Sequence, residues 1–335
     1  MIVAAAREAA GAQYTVWMPM IRLQAEISED LAGRRLDQAL AVLFPDYSRS
    51  RLAQWIRAGQ VRVAGELRRP RDPVAAGEPV VVEAELPADE RCRPEAIALH
   101  IVHEDDSLLV LDKPAGLVVH PAAGHRDGTL QNALLHHDPA LAQVPRAGIV
   151  HRLDKDTSGI MVVARTLEAH QALVRQLQAR SVRREYLAVV RGAMTAGGTI
   201  EAPIGRHPRD RKRQAVTAAG RAAVSHYRVQ ERFRAHTLVR VSLETGRTHQ
   251  IRVHMAHIHH PVLGDPVYGG RLQLPAGVGA GLRAMVRSFR RQALHAQRLE
   301  LIHPATGEPA GWTVPLPADM AALIDALRED AAAHG

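Results

Sequence analysis

The spacing of apolar residues divides the chain into two stretches with different periods. Between residues 34 and 65, Leu36, Ala39, Leu40 and Leu43 recur at helical spacing and mark one buried face. Phe44-Pro45 ends that helix, because a proline restricts the residue before it. Ser50 can cap a second helix whose apolar face is Leu52, Trp55 and Ile56, and Gly59 stops it. Val61 and Val63 alternate with Arg62 as a short strand reaching a turn at Gly65, and residues 80–82 should close a small sheet. Residues 86–96 contain Pro87, Pro94 and mixed charges with no apolar period, which marks a domain boundary.

Beyond that boundary the pattern turns to strands. Residues 108–111 read as one strand, Pro114-Ala115-Gly116 as a turn, and residues 117–119 as the returning strand of a hairpin. Residues 160–164 are a short apolar run with the β-branched content of a buried strand. His170, Leu173, Val174 and Leu177 line one face of a helix. Tyr186, Ala188 and Val190 share one strand face, with Leu187 and Val189 on the other. Val239, Val241 and Leu243 alternate as a strand that delivers Thr245-Gly246 to a turn.

Charge narrows the partners. The 335 residues carry a formal net charge of +8, which suits an anionic partner such as nucleic acid. Aromatic residues are only 3%, too few for a platform stacking many bases, so backbone contact plus a pocket for one base fits better. Arg35, Arg49, Arg51, Arg57 and Arg62 face outward from the two short helices and the hairpin. Residues 206–213 read Arg-His-Pro-Arg-Asp-Arg-Lys-Arg, an exposed loop whose Arg206, Arg209 and Arg211 suit a phosphate clamp. The single Cys92 excludes a disulfide within the chain and a cysteine zinc cluster. No apolar run reaches membrane-span length, and residues 1–18 lack a signal-peptide core, so a cytoplasmic protein is expected. The first twenty residues read as a flexible tail, or as following an upstream start codon with Met18 or Met20 as the true start.

The candidate chemistry centres on His151-Arg152-Leu153-Asp154-Lys155-Asp156-Thr157-Ser158-Gly159. Asp154 lies in a loop that the following strand pins, where a carboxylate can be a nucleophile, a base, a metal ligand or a loop cap. The series Asp154, Asp156, Ser158, Gly159 begins like a calcium loop, but its twelfth position is Arg165 where a glutamate is needed. An aspartyl-phosphate phosphatase would want a buried strand directly before Asp154, and His151-Arg152 stands there instead. His249, His254, His257, His259 and His260 cluster, yet no cysteine joins them and most lie without helical ligand spacing. No phosphate-cradling glycine loop with a following lysine occurs, so no ATP chemistry is expected.

The nine residues from His151 resemble the catalytic motif of the pseudouridine synthases that modify ribosomal RNA, the RluA-type family. Val110-Leu111-Asp112-Lys113-Pro114-Ala115-Gly116-Leu117-Val118-Val119-His120-Pro121 is similar to that family's first motif, residues 184–192 to its tyrosine motif, and residues 244–254 to its arginine motif. Arg35-Leu36-Asp37-Gln38-Ala39-Leu40 with Ser48-Arg49-Ser50-Arg51 resembles an S4 RNA-binding domain. The resemblance implies an α+β protein: tail 1–20, S4-like domain 21–86, linker 87–97, and a catalytic domain 98–335 on a mixed, largely antiparallel sheet. It implies isomerisation of uridine to pseudouridine in large-subunit ribosomal RNA, in the domain IV hairpin loop, with another RNA target as the alternative. An inactive RNA-binding scaffold and the phosphatase are the distant alternatives. It also implies the roles: Asp154 as catalytic carboxylate, Arg247 as its ion-pair partner, Tyr186 stacked on the base, and Arg152 entering the space a flipped base leaves. Arg35, Arg49, Ser50 and Arg51 would contact RNA. No metal or cofactor is needed, and a monomer is expected, acting on RNA or a precursor ribosomal particle.

Overall fold

The computed structural model describes residues 20–44, 47, 49–85, 92–121, 127–210, 213–272 and 274–334. The expected tail lies outside the described residues. The chain separates into two compact units between Glu90 and Arg91, inside the stretch 87–97.

In the N-terminal unit, strand β1 (Met20–Glu26) precedes helices α1 (Leu36–Leu43) and α2 (Arg49–Arg57), then strands β2 (Val61–Val63) and β3 (Pro79–Glu85). β3 is the central strand, antiparallel to both β1 and β2. The helices press Leu36, Leu40, Leu52, Trp55 and Ile56 onto Val61, Val63, Val80 and Val82, as the helical and alternating periods require. Ser50 does not cap α2; it sits inside the first turn, because the helix already begins at Arg49. β1 is a strand that the apolar pattern did not disclose.

The C-terminal unit is built on a nine-stranded sheet among the described residues. In chain order it comprises β4 (Ile101–Glu104), β5 (Leu108–Lys113), helix α3 (Leu130–His137), β6 (Ser158–Ala164), helix α4 (Leu167–Gln178), β7 (Arg183–Arg191), β8 (Gly198–Glu201), a small hairpin β9 (Ile204–Arg206) and β10 (Gln214–Val216), β11 (Val224–Arg232), β12 (His236–Leu243), helices α5 (Gln250–His257) and α6 (Ala280–Ser288), β13 (Leu294–Ile302), β14 (Pro309–Thr313) and helix α7 (Ala318–Ala332). The order across the sheet is β4-β5-β6-β13-β7-β12-β11-β8, with β14 added alongside β13. Neighbours are antiparallel except β6 and β13, which run parallel through His295 opposite Ser158 and Ala296 opposite Gly159. The sheet therefore joins two antiparallel halves at its centre, and the loop carrying Asp154 enters at that junction. β6 is buried along its whole length, as its continuous apolar run requires.

Residues 117–119 do not form the returning strand of a hairpin. β5 pairs with β4 and β6 instead, and Val118 makes only an isolated bridge to Thr129. The turn at residues 114–116 feeds a loop leading to α3, whose start is fixed by a reciprocal cap between Thr129 and Asn132. Cys92 and the residues after it belong to this unit: Cys92 is in its core, and Asn132 donates its side-chain amide to the Arg93 carbonyl.

Candidate active site

The loop from Ile149 to Thr157 is held from below and from both ends. Lys113, at the end of β5, is 1% exposed, and its ammonium donates to the carbonyls of Pro114 (2.8 Å), Leu117 (2.9 Å) and Lys155 (3.0 Å). Burial pushes this lysine down to about 8, and the three carbonyls give the ammonium its hydrogen bonds. The segment around Lys113 thus clamps the loop carrying Asp154 through one buried cation. His151 accepts the backbone N–H of Val162 at 3.1 Å through Nε2, and burial pushes it down to about 3, so it serves as a neutral strut. At the far end Gly159 has φ +116°, and a Cβ there would sit 2.2 Å from the Ala296 carbonyl oxygen. Only glycine permits that close approach of β6 to β13.

Asp154 does not pair with Arg247. Its Oδ2 accepts from Arg252 Nη1 at 2.9 Å, and the same guanidinium forks onto Asp265 with bonds of 2.7 and 2.9 Å. The side chains of Arg252 and Asp265 are 6% and 0% exposed, against 16% for Asp154. Arg252 is in the first turn of α5, with its guanidinium turned into the protein. Arg247 lies in the turn before α5, where Gln250 Oε1 accepts its backbone N–H and the Thr245 hydroxyl. That turn sends the Arg247 side chain the other way, and its Nε donates to the Ala222 carbonyl at 3.1 Å. Burial works against the Asp265 carboxylate, but Arg252 and the backbone N–H groups of Tyr268 and Val267 hold it below its ordinary value. The two carboxylates in turn hold Arg252 above its ordinary value against burial.

A second contact reaches Asp154. His249 has a left-handed backbone (φ 58°), which turns its ring inward just before α5. Its Nε2 is 3.8 Å from Asp154 Oδ1, and its Nδ1 is 2.9 Å from the Tyr268 hydroxyl. That hydroxyl accepts the backbone N–H of Gln214, so its own proton goes to His249 Nδ1 and the remaining ring proton faces Asp154. Burial pushes the imidazole down while Asp154 pulls it up.

Tyr186 is on β7, 7% exposed, and lines the same cavity of about 630 Å³ as Asp154, His249 and Arg252. Burial raises its phenol, so the ring is neutral at physiological pH. Arg152 is exposed at this cavity. Arg247 also lines it, together with Arg180, Arg184 and Arg221. The cavity therefore combines one aromatic face, one anchored carboxylate and a cationic wall.

The remaining candidates divide. Arg206 and Arg209 are exposed, while Arg211 lies outside the described residues. Arg213, the last residue of that loop, turns inward and lays its guanidinium over the Tyr268 ring at 5.3 Å, opposite in role to a free clamp. In the N-terminal unit, Arg35 and Arg49 both donate to the Asp37 carboxylate, at 3.0–3.1 and 2.7–3.0 Å. Burial works against that carboxylate, but the two guanidiniums hold it below its ordinary value. Each is still about half exposed, with much of its charge balanced locally. Arg51 lies 6.0 Å from the Trp55 ring. The histidines of residues 249–260 do not converge: His254 bonds Ser225 and the Ala202 carbonyl, and His260 the Arg191 carbonyl.

Residues 107–257 match the family described as RNA pseudouridylate synthase, and residues 34–80 match the S4 domain. A protein of Pseudomonas aeruginosa, "Ribosomal large subunit pseudouridine synthase D", is 61% identical over 311 residues, 93% of this chain and 97% of that protein. Proteins with the same name from Xanthomonas campestris pv. campestris and Escherichia coli K12 are 59% and 53% identical, over 92% and 94% of this chain and 93% and 97% of theirs. Among solved structures, human RNA pseudouridylate synthase domain containing 4 superposes with a TM-score of 0.54 at 25% identity, over 68% of this chain and 93% of its own. Such identity, spread over nine-tenths of both chains, makes this chain a member of the RNA pseudouridylate synthase family with an S4 domain in front of it.

Proposed function

We propose that the protein isomerises uridine to pseudouridine in large-subunit ribosomal RNA, at the hairpin loop of domain IV. The relatives named for the large subunit support the substrate class. The observation that carries the chemistry is Asp154, fixed by Arg252 at the floor of a cavity that Tyr186 also lines. In the reaction the N1–C1′ bond breaks, the uracil turns in place, and a C5–C1′ bond forms. The proton leaving C5 is balanced by the one taken up at N1, so no oxidant or second substrate is required. Tyr186 supplies the face against which the uracil lies, and Arg252 holds Asp154 toward the reacting sugar and base. Arg152, exposed at the cavity, fills the gap in the RNA stack when the uridine is turned out. The reading extends to a cytoplasmic monomer acting on RNA or a precursor ribosomal particle, with the S4 domain adding RNA affinity.

The test is purified protein on unmodified ribosomal RNA, with pseudouridine mapped with and without a chelator. Asp154→Asn keeps the shape and loses the charge. Its turnover should fall below about a hundredth of wild type, roughly 2.7 kcal/mol of barrier, with RNA affinity within a few-fold. Conversion by Asp154→Asn at a higher rate, or release of phosphate instead of isomerisation, would sink the reading. Mapping pseudouridines in ribosomes from a deletion strain decides between the domain IV loop and another target.

A further inference from the structure

Arg184 is a buried cation without a counter-charge. It lies on β7 two residues before Tyr186, so the two side chains leave the same face of the strand. The residue is 9% exposed and lines the cavity. Its Nε is sealed from solvent with no partner, and among the described residues its guanidinium makes no hydrogen bond or ion pair. Arg252, which lines the same cavity, is buried to a similar degree and holds two carboxylates. An unpaired guanidinium in such a place is costly, and a fold retains it when something else supplies the negative charge.

Its surroundings indicate what that is. The guanidinium lies against Gly246, where a Cβ would come within 2.8 Å of Nη1, so the absence of a side chain there makes room for the arginine head. Arg180, Arg221 and Arg247 line the same cavity, and Arg247 is held below its ordinary value by burial and by those two neighbours. Glu244 faces this group but is engaged with Arg180 and His226. Uracil is neutral and cannot balance a buried full charge. Each nucleotide also carries a phosphate, and a two-residue step along a strand, roughly 6.6 Å, is comparable with the span from a base to its own phosphate.

Accepting the pseudouridine synthase reading, we infer that Arg184 receives an RNA phosphate adjoining the flipped uridine, gripping the backbone from inside the cavity. The bond would be a charge-assisted fork of the kind guanidinium makes with phosphate. Arg184 is then a binding residue of the reaction, while Arg180, Arg221 and Arg247 shape the field that draws the strand in.

The experiment is ethylation interference on a hairpin RNA carrying the domain IV loop, its phosphates randomly ethylated and so neutralised. Wild type should reject ethylation at phosphates beside the converted uridine. Arg184→Gln should lose one of those rejections, keep the others, and bind the unethylated RNA about tenfold or more weaker, as the loss of one charged hydrogen bond requires. Arg184→Lys should retain the rejection. Gly246→Ala, whose backbone is outside the left-handed region, should displace the guanidinium and lose the same rejection. A merely structural arginine would destabilise the fold when removed; Arg184→Gln should melt at or above the wild-type temperature. An Arg184→Gln footprint identical to wild type, or a large drop in its melting temperature, overturns the inference. Pseudouridine formation is scored separately. Product from wild type with an unchanged Arg184→Gln footprint refutes only the phosphate contact; no product with a lost rejection upholds the contact and refutes the isomerase reading.

Discussion

Arg252 is the residue whose replacement most directly tests the active-site geometry. Arg252→Met removes one hydrogen bond to Asp154 and two to Asp265, and leaves Asp265 with a fully buried carboxylate. Breaking such a pair from one side costs about 3–5 kcal/mol. For a domain of this size that corresponds to a drop of roughly 6–20 °C in melting temperature. Arg252→Met with Asp265→Asn removes the orphaned charge and should recover most of the loss. It should not recover activity, because Asp154 still lacks its anchor; the single-turnover rate should stay about a hundredfold down, roughly 2.7 kcal/mol. Arg252→Lys keeps a point charge but not a fork, and should lie between. The pH dependence has a definite sign. Asp265 is depressed in the fold, so its contribution is present above the unfolded value near 3.8 and is lost as pH falls through the folded value. Without Arg252 the carboxylate keeps only the backbone N–H groups of Val267 and Tyr268 against the cost of burial, its pKa rises, and acid unfolding should begin at higher pH. The measurements are thermal melts from pH 3 to 7 and quenched single-turnover pseudouridine assays. A stable, fully active Arg252→Met, or the same paired loss of stability and rate in Arg247→Met, would refute the assignment.

Three further outcomes follow from the geometry. Gly159→Ala should cost about 3 kcal/mol or more of stability, since a Cβ at φ +116° meets the Ala296 carbonyl, and urea titration measures it. RNA affinity should fall steeply between low and moderate salt as exposed arginines such as Arg206 and Arg209 displace counterions, and a flat log–log plot would exclude the phosphate contacts. A chain starting at Cys92 should fold and isomerise uridine with weaker, less selective RNA binding, whereas starting a few residues later should fail, because residues 92–95 pack on the catalytic unit. Inactivity of the folded Cys92 form at saturating RNA would show that the S4 domain completes the active site.

Periodicity made the sheet elements legible but could not reveal their order. The runs at residues 108–111, 160–164 and 186–190 identify buried strands. Yet the strand between β6 and β7 is β13, more than a hundred residues further on, and its parallel contact with β6 covers two residue pairs. The hairpin expected at residues 117–119 failed for the same reason: a turn signal at Pro114-Ala115-Gly116 says that the chain bends, and β4 and β6 occupy both edges of β5. At the site, the strand pattern placed Asp154 in a pinned loop and Tyr186 on a buried strand face, but only the resemblance to the family's motifs singled them out; the structure brings both to one cavity. The arginine was misassigned because two arginines five residues apart lie on either side of a helix start. A left-handed His249, a conformation uncommon outside glycine, decides which of them faces inward. One signal for Arg252 was nevertheless present. An arginine flanked by Ile251 and Val253 at the start of a buried helix needs a carboxylate, and Asp265 follows the apolar Val262-Leu263. The cost of burying a charge selects Arg252 from that pair, because among the described residues Arg247 meets no buried acid: its Nε donates to the Ala222 carbonyl.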